Sequence, residues 1–480
     1  VFTFTFSNAF ISATTMRGLG RPLASRRLSE LSMWAAWLGV GLAAWAMLAN
    51  KATVLFTFYP PLQATPAFYL GAVLLVISTW LVLANQFLTL RSWRRDHPGE
   101  RIPLLAFVSL MTYLMWTVAS VGIAIEVLAF ILPWAFGWTT TIDPQFTRVL
   151  FWFTGHPIVY FWLLPVYVSW YMLLPRQAGG KLYSDGLTRM VFISFLLLIP
   201  VGVHHQFTDP GIVFSSKTIQ WLLTFGIFYP SIVTAFSVIA ALEMGGRERG
   251  GTGRFGWIRK LPWGDPVVSG QLLAGLAFML GGASGFINAS YTVNLVVHNT
   301  SFIVGHFHLT VGTAVALSIM AISYWFVPYL TGRELWGRRL AVAQTWLWII
   351  GVFTFSRGQM MGGIDGMPRR TQIADATYLA DHSSWDLANT MTGLGGTLMF
   401  ISSVLFFTVI LKTVYNRRRV QGVQTMPVTE VVHGPKYSWA IFDQIWVWVV
   451  TAGVLIVIVY GEVVFHYLPL NPVSPGLRLW

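Results

Sequence analysis

Two histidines, His306 and His308 in VGHFHLTVG, stand two residues apart inside an apolar run. At about 100° per residue on an α-helix their side chains diverge by about 200°, so one helix offers an imidazole to each of two opposite sides. A single metal would draw on residues three or four apart. Two centres flanking one helix suit this spacing better, and large planar cofactors suit it best, because axial imidazole is a standard way of holding haem iron. In TGHPIVYFWLLP, His156 and Tyr160 occupy i and i+4 and share a helical face. A phenol beside a metal-bound imidazole can supply both a proton and an electron. In LIPVGVHHQFTDPG, His204 and His205 close an apolar stretch where Pro200 removes a backbone hydrogen bond and loosens the turn, so both rings can reach one metal. His156, His204 and His205, with no thiolate or carboxylate among them, suit copper or zinc, and of the two only copper has redox chemistry.

The elements that must position these residues are apolar. The chain has 480 residues, 55% of them hydrophobic, 15% aromatic and only 10% charged, against about 25% charged in soluble domains. The expected fold is all-α, a polytopic transmembrane helical bundle read as one integrated domain over residues 1–480. Apolar stretches long enough to span a bilayer run roughly over 31–49, 67–90, 103–133, 149–174, 190–205, 218–243, 266–288, 301–327, 340–356, 388–411 and 440–466. The opening stretch VFTFTFSNAFISATTM makes about twelve spans; it gives only about 24 Å of helix and reads as the end of a longer helix, with a thirteenth span before it in a full-length chain.

Cysteine is absent, which excludes disulfides, thiolate metal sites, iron–sulfur clusters and thiol catalysis. The net charge of +13 would suit nucleic acid, but the basic residues sit between spans. They concentrate in the loops at 17–30, 91–102, 175–189, 244–260, 333–339 and 412–436, while the alternate loops hold only Lys51, Arg148, Lys217, Arg357, Arg369, Arg370 and Arg478. This alternation places the basic loops in the cytoplasm of a multi-pass protein of a prokaryotic plasma membrane, and nucleic acid is not an expected partner. Of the ten histidines, His97, His382, His433 and His466 fall in loops or at span ends, as interfacial residues would. The other six, His156, His204, His205, His298, His306 and His308, fall near the outer ends of their spans; ionisable groups there mark function.

Taken together, GHPIVYFWLLP, HHQFTDPG, VVHNTSFIVGHFHLT and MPRR resemble subunit I of the haem–copper oxidases, and within it the B-type, ba3-like cytochrome c oxidases, over nearly the whole chain. The resemblance implies that His156, His204 and His205 hold the copper called CuB. It implies that His306 is the axial ligand of a high-spin haem of a- or o-type, and His308 one axial ligand of a low-spin haem of b-type. Tyr160 matches a tyrosine cross-linked to its histidine neighbour. His298 and Asn299 match residues by the high-spin haem propionates, and Arg369 and Arg370 those pairing with the low-spin haem propionates; guanidinium forks bind carboxylates in a bidentate manner. Two departures stand out. The second low-spin ligand belongs upstream of Val1, and Asn294 stands where the B-type pattern carries Asp.

Reducing O2 at a buried centre consumes protons, so polar groups must cross apolar helices. Tyr160, Tyr167 and Tyr171 form one stripe on a helix, and Ser231 and Thr234 stand at i and i+3 on the next span but one. With Ser184 they match the single K-like proton pathway of the B-type family. The expected function is the catalytic subunit of a terminal respiratory oxidase. It takes electrons from cytochrome c or a similar small carrier through a subunit II with a dinuclear copper entry site, with O2 and membrane lipid as its other partners. A nitric oxide reductase of the same superfamily is the alternative, disfavoured by Tyr160. A non-redox transporter or channel would explain the spans but not the six imidazoles.

Overall fold

The computed structural model describes residues 2–55, 57–370, 383–422, 424–467 and 473–480; His382 lies outside them. In chain order its principal helices are α1 (Phe2–Leu19), α2 (Arg26–Leu48), α3 (Pro66–Asp96), α4 (Leu104–Ala135), α5 (Pro144–Met172), α6 (Asp185–Leu197), α7 (Phe214–Glu248), α8 (Pro266–Ala289), α9 (Phe302–Thr331), α10 (Arg338–Ile364), α11 (Asp386–Val414) and α12 (Ile445–His466). Among the described residues, the ten other than α1 and α6 are long and apolar enough to cross a membrane. Each of the twelve expected spans therefore has a helix. The stretch expected as a span over 190–205 differs: α6 stops at Leu197, because Pro200 has no N–H to continue the ladder, and the chain resumes as a 3-10 turn over Val203–Gln206. Among the described residues, strand structure is confined to two short pairs, Thr141–Ile142 with Ser474–Pro475 and Leu182–Ser184 with Val431–His433.

The chain packs as two units. The first comprises residues 1–165, 185–231 and 435–480. Here α1 lies against α3 and α4: the hydroxyls of Thr14 and Ser109 are 2.8 Å apart, and Gln86 donates to Thr15 at 2.8 Å. Beside them Trp116 stacks on Phe161 of α5 at 4.6 Å, and Phe4 meets both rings edge-on. Such pairs add about 0.5–1.5 kcal/mol each beyond their area, and Phe161 is the neighbour of Tyr160. A six-residue π-helical turn, Glu126–Ile131, interrupts α4. At one end of the unit the fully buried Arg189 donates to Asp185 of its own helix, to Asp443 and to the carbonyl of Ile102, each at 2.7 Å. Arg101 takes the other oxygen of Asp443 at 2.6 Å. This network joins α6 to the chain entering α4 and α12.

The second unit comprises residues 166–184 and 232–434, with α9 packed between α8 and α10. A Cβ on Gly305 would come within 2.7 Å of Met360 and 2.8 Å of the Ser356 carbonyl, so only glycine lets α9 and α10 approach this closely, as small residues do between membrane helices. Tyr324 donates to Gln344, and Gln344 to Ser402, at 2.7 and 2.9 Å, tying α9, α10 and α11 together. A second π-helical turn, Thr310–Val315, begins just after His308.

Replacing Arg189 with Met leaves the buried Asp185 without its cation and Asp443 with Arg101 alone. We expect stability to fall by about 3–5 kcal/mol, read as the thermal unfolding midpoint in detergent; an unchanged midpoint would show that the network contributes little.

Candidate metal centre

The chain leaves regular helix wherever it presents a candidate metal-ligating ring of the first unit. Pro144–Gly155 ends at His156, and the helix restarts at Pro157, whose missing N–H fits a first helical position. His204 and His205 ride on the 3-10 turn. A Cβ on Gly202 would collide with the carbonyl oxygen of Trp152, so glycine is needed to bring this turn against α5. The result is convergence: ligand nitrogens of His156, His204 and His205 lie within 4.8 Å of one another. Nδ1 of His156 is 2.9 Å from Nε2 of His204 and 3.1 Å from Nε2 of His205. Two imidazole nitrogens on one metal, at bonds of about 2.0–2.1 Å and angles of about 90–120°, stand roughly 2.8–3.6 Å apart. The set fits a metal site, and its all-imidazole chemistry suits copper.

The surroundings fix which nitrogen of each ring is available. The Thr224 hydroxyl donates its one hydrogen to the Gln220 carbonyl at 2.6 Å and lies 3.0 Å from Nδ1 of His204. Nδ1 of His204 must therefore donate to it, which leaves the Nε2 lone pair facing the cluster. Gln220 also accepts from the backbone N–H of Gly202 at 3.0 Å and holds the turn. His205 stacks face to face on Trp152 at 3.8 Å. The Tyr160 hydroxyl is 2.8 Å from Nε2 of His156, on the face that i, i+4 spacing requires, and its ring packs on Phe195.

In the second unit the opposed pair behaves as its spacing predicts. His306 faces α8: its Nδ1 is 3.1 Å from the Gly281 carbonyl and 2.9 Å from the Ser284 hydroxyl, which itself donates to Gly281. His308 points the other way, its ring 4.2 Å from Phe355 of α10, its Nδ1 2.8 Å from the Val304 carbonyl. Carbonyls only accept, so both rings carry hydrogen on Nδ1 and present Nε2 as the ligand atom. The donors and their locked tautomers fit axial ligation of haem iron.

Residues 1–398 match the family described as cytochrome c and quinol oxidase polypeptide I. The chain belongs to this family. It is 43% identical over 489 residues to cytochrome c oxidase subunit 1 of Thermus thermophilus, a match covering all of this chain and 86% of that one. It is 27% identical over 427 residues to cytochrome c oxidase subunit 1 of Thermostichus vulcanus, covering 84% and 71% of the two chains. A haem–copper terminal oxidase dimer solved by electron cryo-microscopy superposes with a TM-score of 0.94 at 36% identity, over 99% of this chain and 85% of that one.

The remaining residues singled out as oxidase site groups are distributed as follows. His298 lies 2.9 Å through Nδ1 from the side-chain oxygen of Asn294, whose amide donates to the Asn288 carbonyl at 2.7 Å; the departure from Asp is thus a neutral partner holding His298. Arg369 reaches Asn299 twice, backbone to backbone at 3.0 Å and side chain to side chain at 3.3 Å. Asn299 and Arg370 both hold positive φ, 58° and 62°, a conformation that costs a non-glycine residue about 1–2 kcal/mol and marks a backbone held in place by its surroundings. Tyr171 donates to Thr234 at 2.9 Å, and its ring centroid is 6.3 Å from that of Tyr167. Ser231 turns back to the Ile227 carbonyl at 3.4 Å. Ser184 ends a strand, opposite His433. His97 stacks on Trp93, and His433 packs on Tyr183.

Sequence reasoning missed Thr224, Gln220, Trp152, Ser284 and Phe355 around the imidazoles, and Ser237, which also hydrogen-bonds Tyr171. Ser237 follows Thr234 by three residues, so the stripe on α7 carried a signal for it. Trp152 precedes His156 by four.

Thr224→Val removes the acceptor that locks His204. Copper affinity should fall about 10–100-fold, measured as copper retained on dialysis against a chelator; full retention would show the tautomer is set elsewhere. Thr234→Val breaks the bond from Tyr171 and should slow turnover in the reconstituted enzyme without loss of haem absorbance. Unchanged turnover would show that this hydrogen bond carries no proton that turnover needs.

Proposed function

We propose that this multi-pass membrane protein is the catalytic subunit of a terminal respiratory oxidase of the B-type, reducing O2 to water and coupling the reaction to proton movement. The observation that carries the reading is the three-imidazole cluster with the Tyr160 hydroxyl 2.8 Å from Nε2 of His156. His156, His204 and His205 would hold CuB. His306 would hold a high-spin haem of a- or o-type, and His308 a low-spin haem of b-type. His298, Asn299, Arg369 and Arg370 would meet the haem propionates. The copper and the haem iron, when bound, supply the coordination and the electrons that O2 reduction requires.

The chain's own residues supply the rest. Nε2–H of His156 can donate to the Tyr160 oxygen, which leaves the phenol's own hydrogen available to a second partner. Trp152 and Phe195 wall the site with apolar rings and restrict water to polar routes. One such route is the hydrogen bond from Tyr171 to Thr234, with Tyr167 above it and Ser231 and Ser184 completing the set; hydroxyls both accept and donate, as a relay with water must. Entry is from the cytoplasm, where the basic loops lie. Electrons come from cytochrome c or a similar carrier through a subunit II, since a chain with no cysteine cannot build a thiolate-bridged dinuclear copper site. The whole of 1–480 acts as one integrated subunit.

Purified enzyme should show a Soret band, contain copper as well as haem iron, and consume O2 far faster than NO. Non-haem iron in place of copper, with NO the better substrate, would make it a nitric oxide reductase. A preparation folded but without any Soret band would end the redox reading.

A further inference from the structure

The first unit contains a cavity of about 730 Å³ that none of the chemistry above uses. Its floor is apolar: Phe87 and Leu90 of α3, Leu114 of α4, and Ile445, Val449 and Val450 of α12. Its rim carries Arg91, Arg94 and Arg95, from the last turns of α3. Among the described residues, no carboxylate lies within ion-pair distance of these three arginines: the nearby Asp96 is taken by Arg21 at 2.8 Å. The one acid lining the cavity, Asp443, is already neutralised by Arg101 and Arg189. The rim also meets the N-terminal end of α12, through Gln444, Ile445 and Trp446, and the positive end of a helix dipole favours an anion. Trp446, exposed there, is the kind of side chain that sits at headgroup level.

Basic rim, helix N-terminus and greasy floor together describe a ligand with a negative head and a hydrocarbon tail. We infer that this cavity is a binding site for one anionic phospholipid, its phosphate between Arg91, Arg94, Arg95 and the α12 N-terminus, and one acyl chain along Leu90, Leu114 and Val450. The volume lies in the range of ordinary ligand pockets, about 300–1,000 Å³, enough for a headgroup and the upper part of a chain. Asp443, in the cavity wall, is shared by Arg101 and the buried Arg189, so bound lipid would brace the junction that joins α4, α6 and α12. A basic pocket between membrane helices on the positive side is where acidic headgroups bind. The inference does not depend on the catalytic reading.

The test is native mass spectrometry of the assembled oxidase released from detergent, with phosphatidylglycerol, phosphatidylcholine or inorganic phosphate added. Wild type should keep one phosphatidylglycerol and neither of the others. The triple variant R91Q/R94Q/R95Q should lose phosphatidylglycerol about a hundredfold more readily. V450W keeps every charge but fills the apolar floor at an exposed position, and should lose the lipid as well. Unaltered haem absorbance checks that each variant is folded. Retention by the triple variant, equal binding of phosphatidylcholine, binding of inorganic phosphate alone, or undiminished lipid on V450W would each overturn the site.

Discussion

Everything at the metal centre depends on where each imidazole keeps its single hydrogen. A neutral ring has one donor and one acceptor nitrogen, and only the acceptor can bind a metal. In this chain a carbonyl or hydroxyl occupies the other nitrogen of His204, His306 and His308. Gln220 in the first unit, and Gly281 and Val304 in the second, thus matter as much as the histidines they serve, because their carbonyls decide the tautomers directly or through Thr224. Ser284 reinforces the same carbonyl rather than competing for the ring. The apolar interior makes the arrangement stringent, since a misplaced hydrogen there has no water to accept it.

The second constraint is on the backbone. A regular helix spaces its side chains evenly and cannot gather three rings at one point. The chain solves this by breaking: at the His156–Pro157 junction, and at the turn beyond Pro200. Each break leaves backbone groups to be satisfied, and Gln220 takes up part of that burden by accepting from Gly202 and Val203. Along α9 the opposite strategy serves: the helix stays regular across His306 and His308, which is why they point to opposite neighbours, and its π-helical turn comes only afterwards.

These differences explain what could be read from the sequence. The opposed pair, the His156–Tyr160 face and the loosening at Pro200 follow from local geometry, and local geometry is what periodicity encodes. The apolar runs and the alternating basic loops located the helices for the same reason. The end of α6 at Leu197 and the π-helical turns were not legible, because the apolar run continues through them. Nor were Thr224 and Ser284 singled out: a hydroxyl on an apolar helix most often bonds its own backbone, and both of these do so as well as reaching an imidazole. Arg189 looked like one more loop charge; only the fold shows that it is the buried hub of three helix ends.

One detail of α5 bears on how such a centre survives heat. Trp152, the plate beneath His205, and His156, a candidate ligand in its own right, are four residues apart on the same stretch of chain. When the bundle breathes and this stretch slides against its neighbours, plate and ligand travel together. The gap between the two rings is then governed by a short piece of stiff backbone rather than by the looser fit of one helix on another, as a gauge block keeps its width however it is carried.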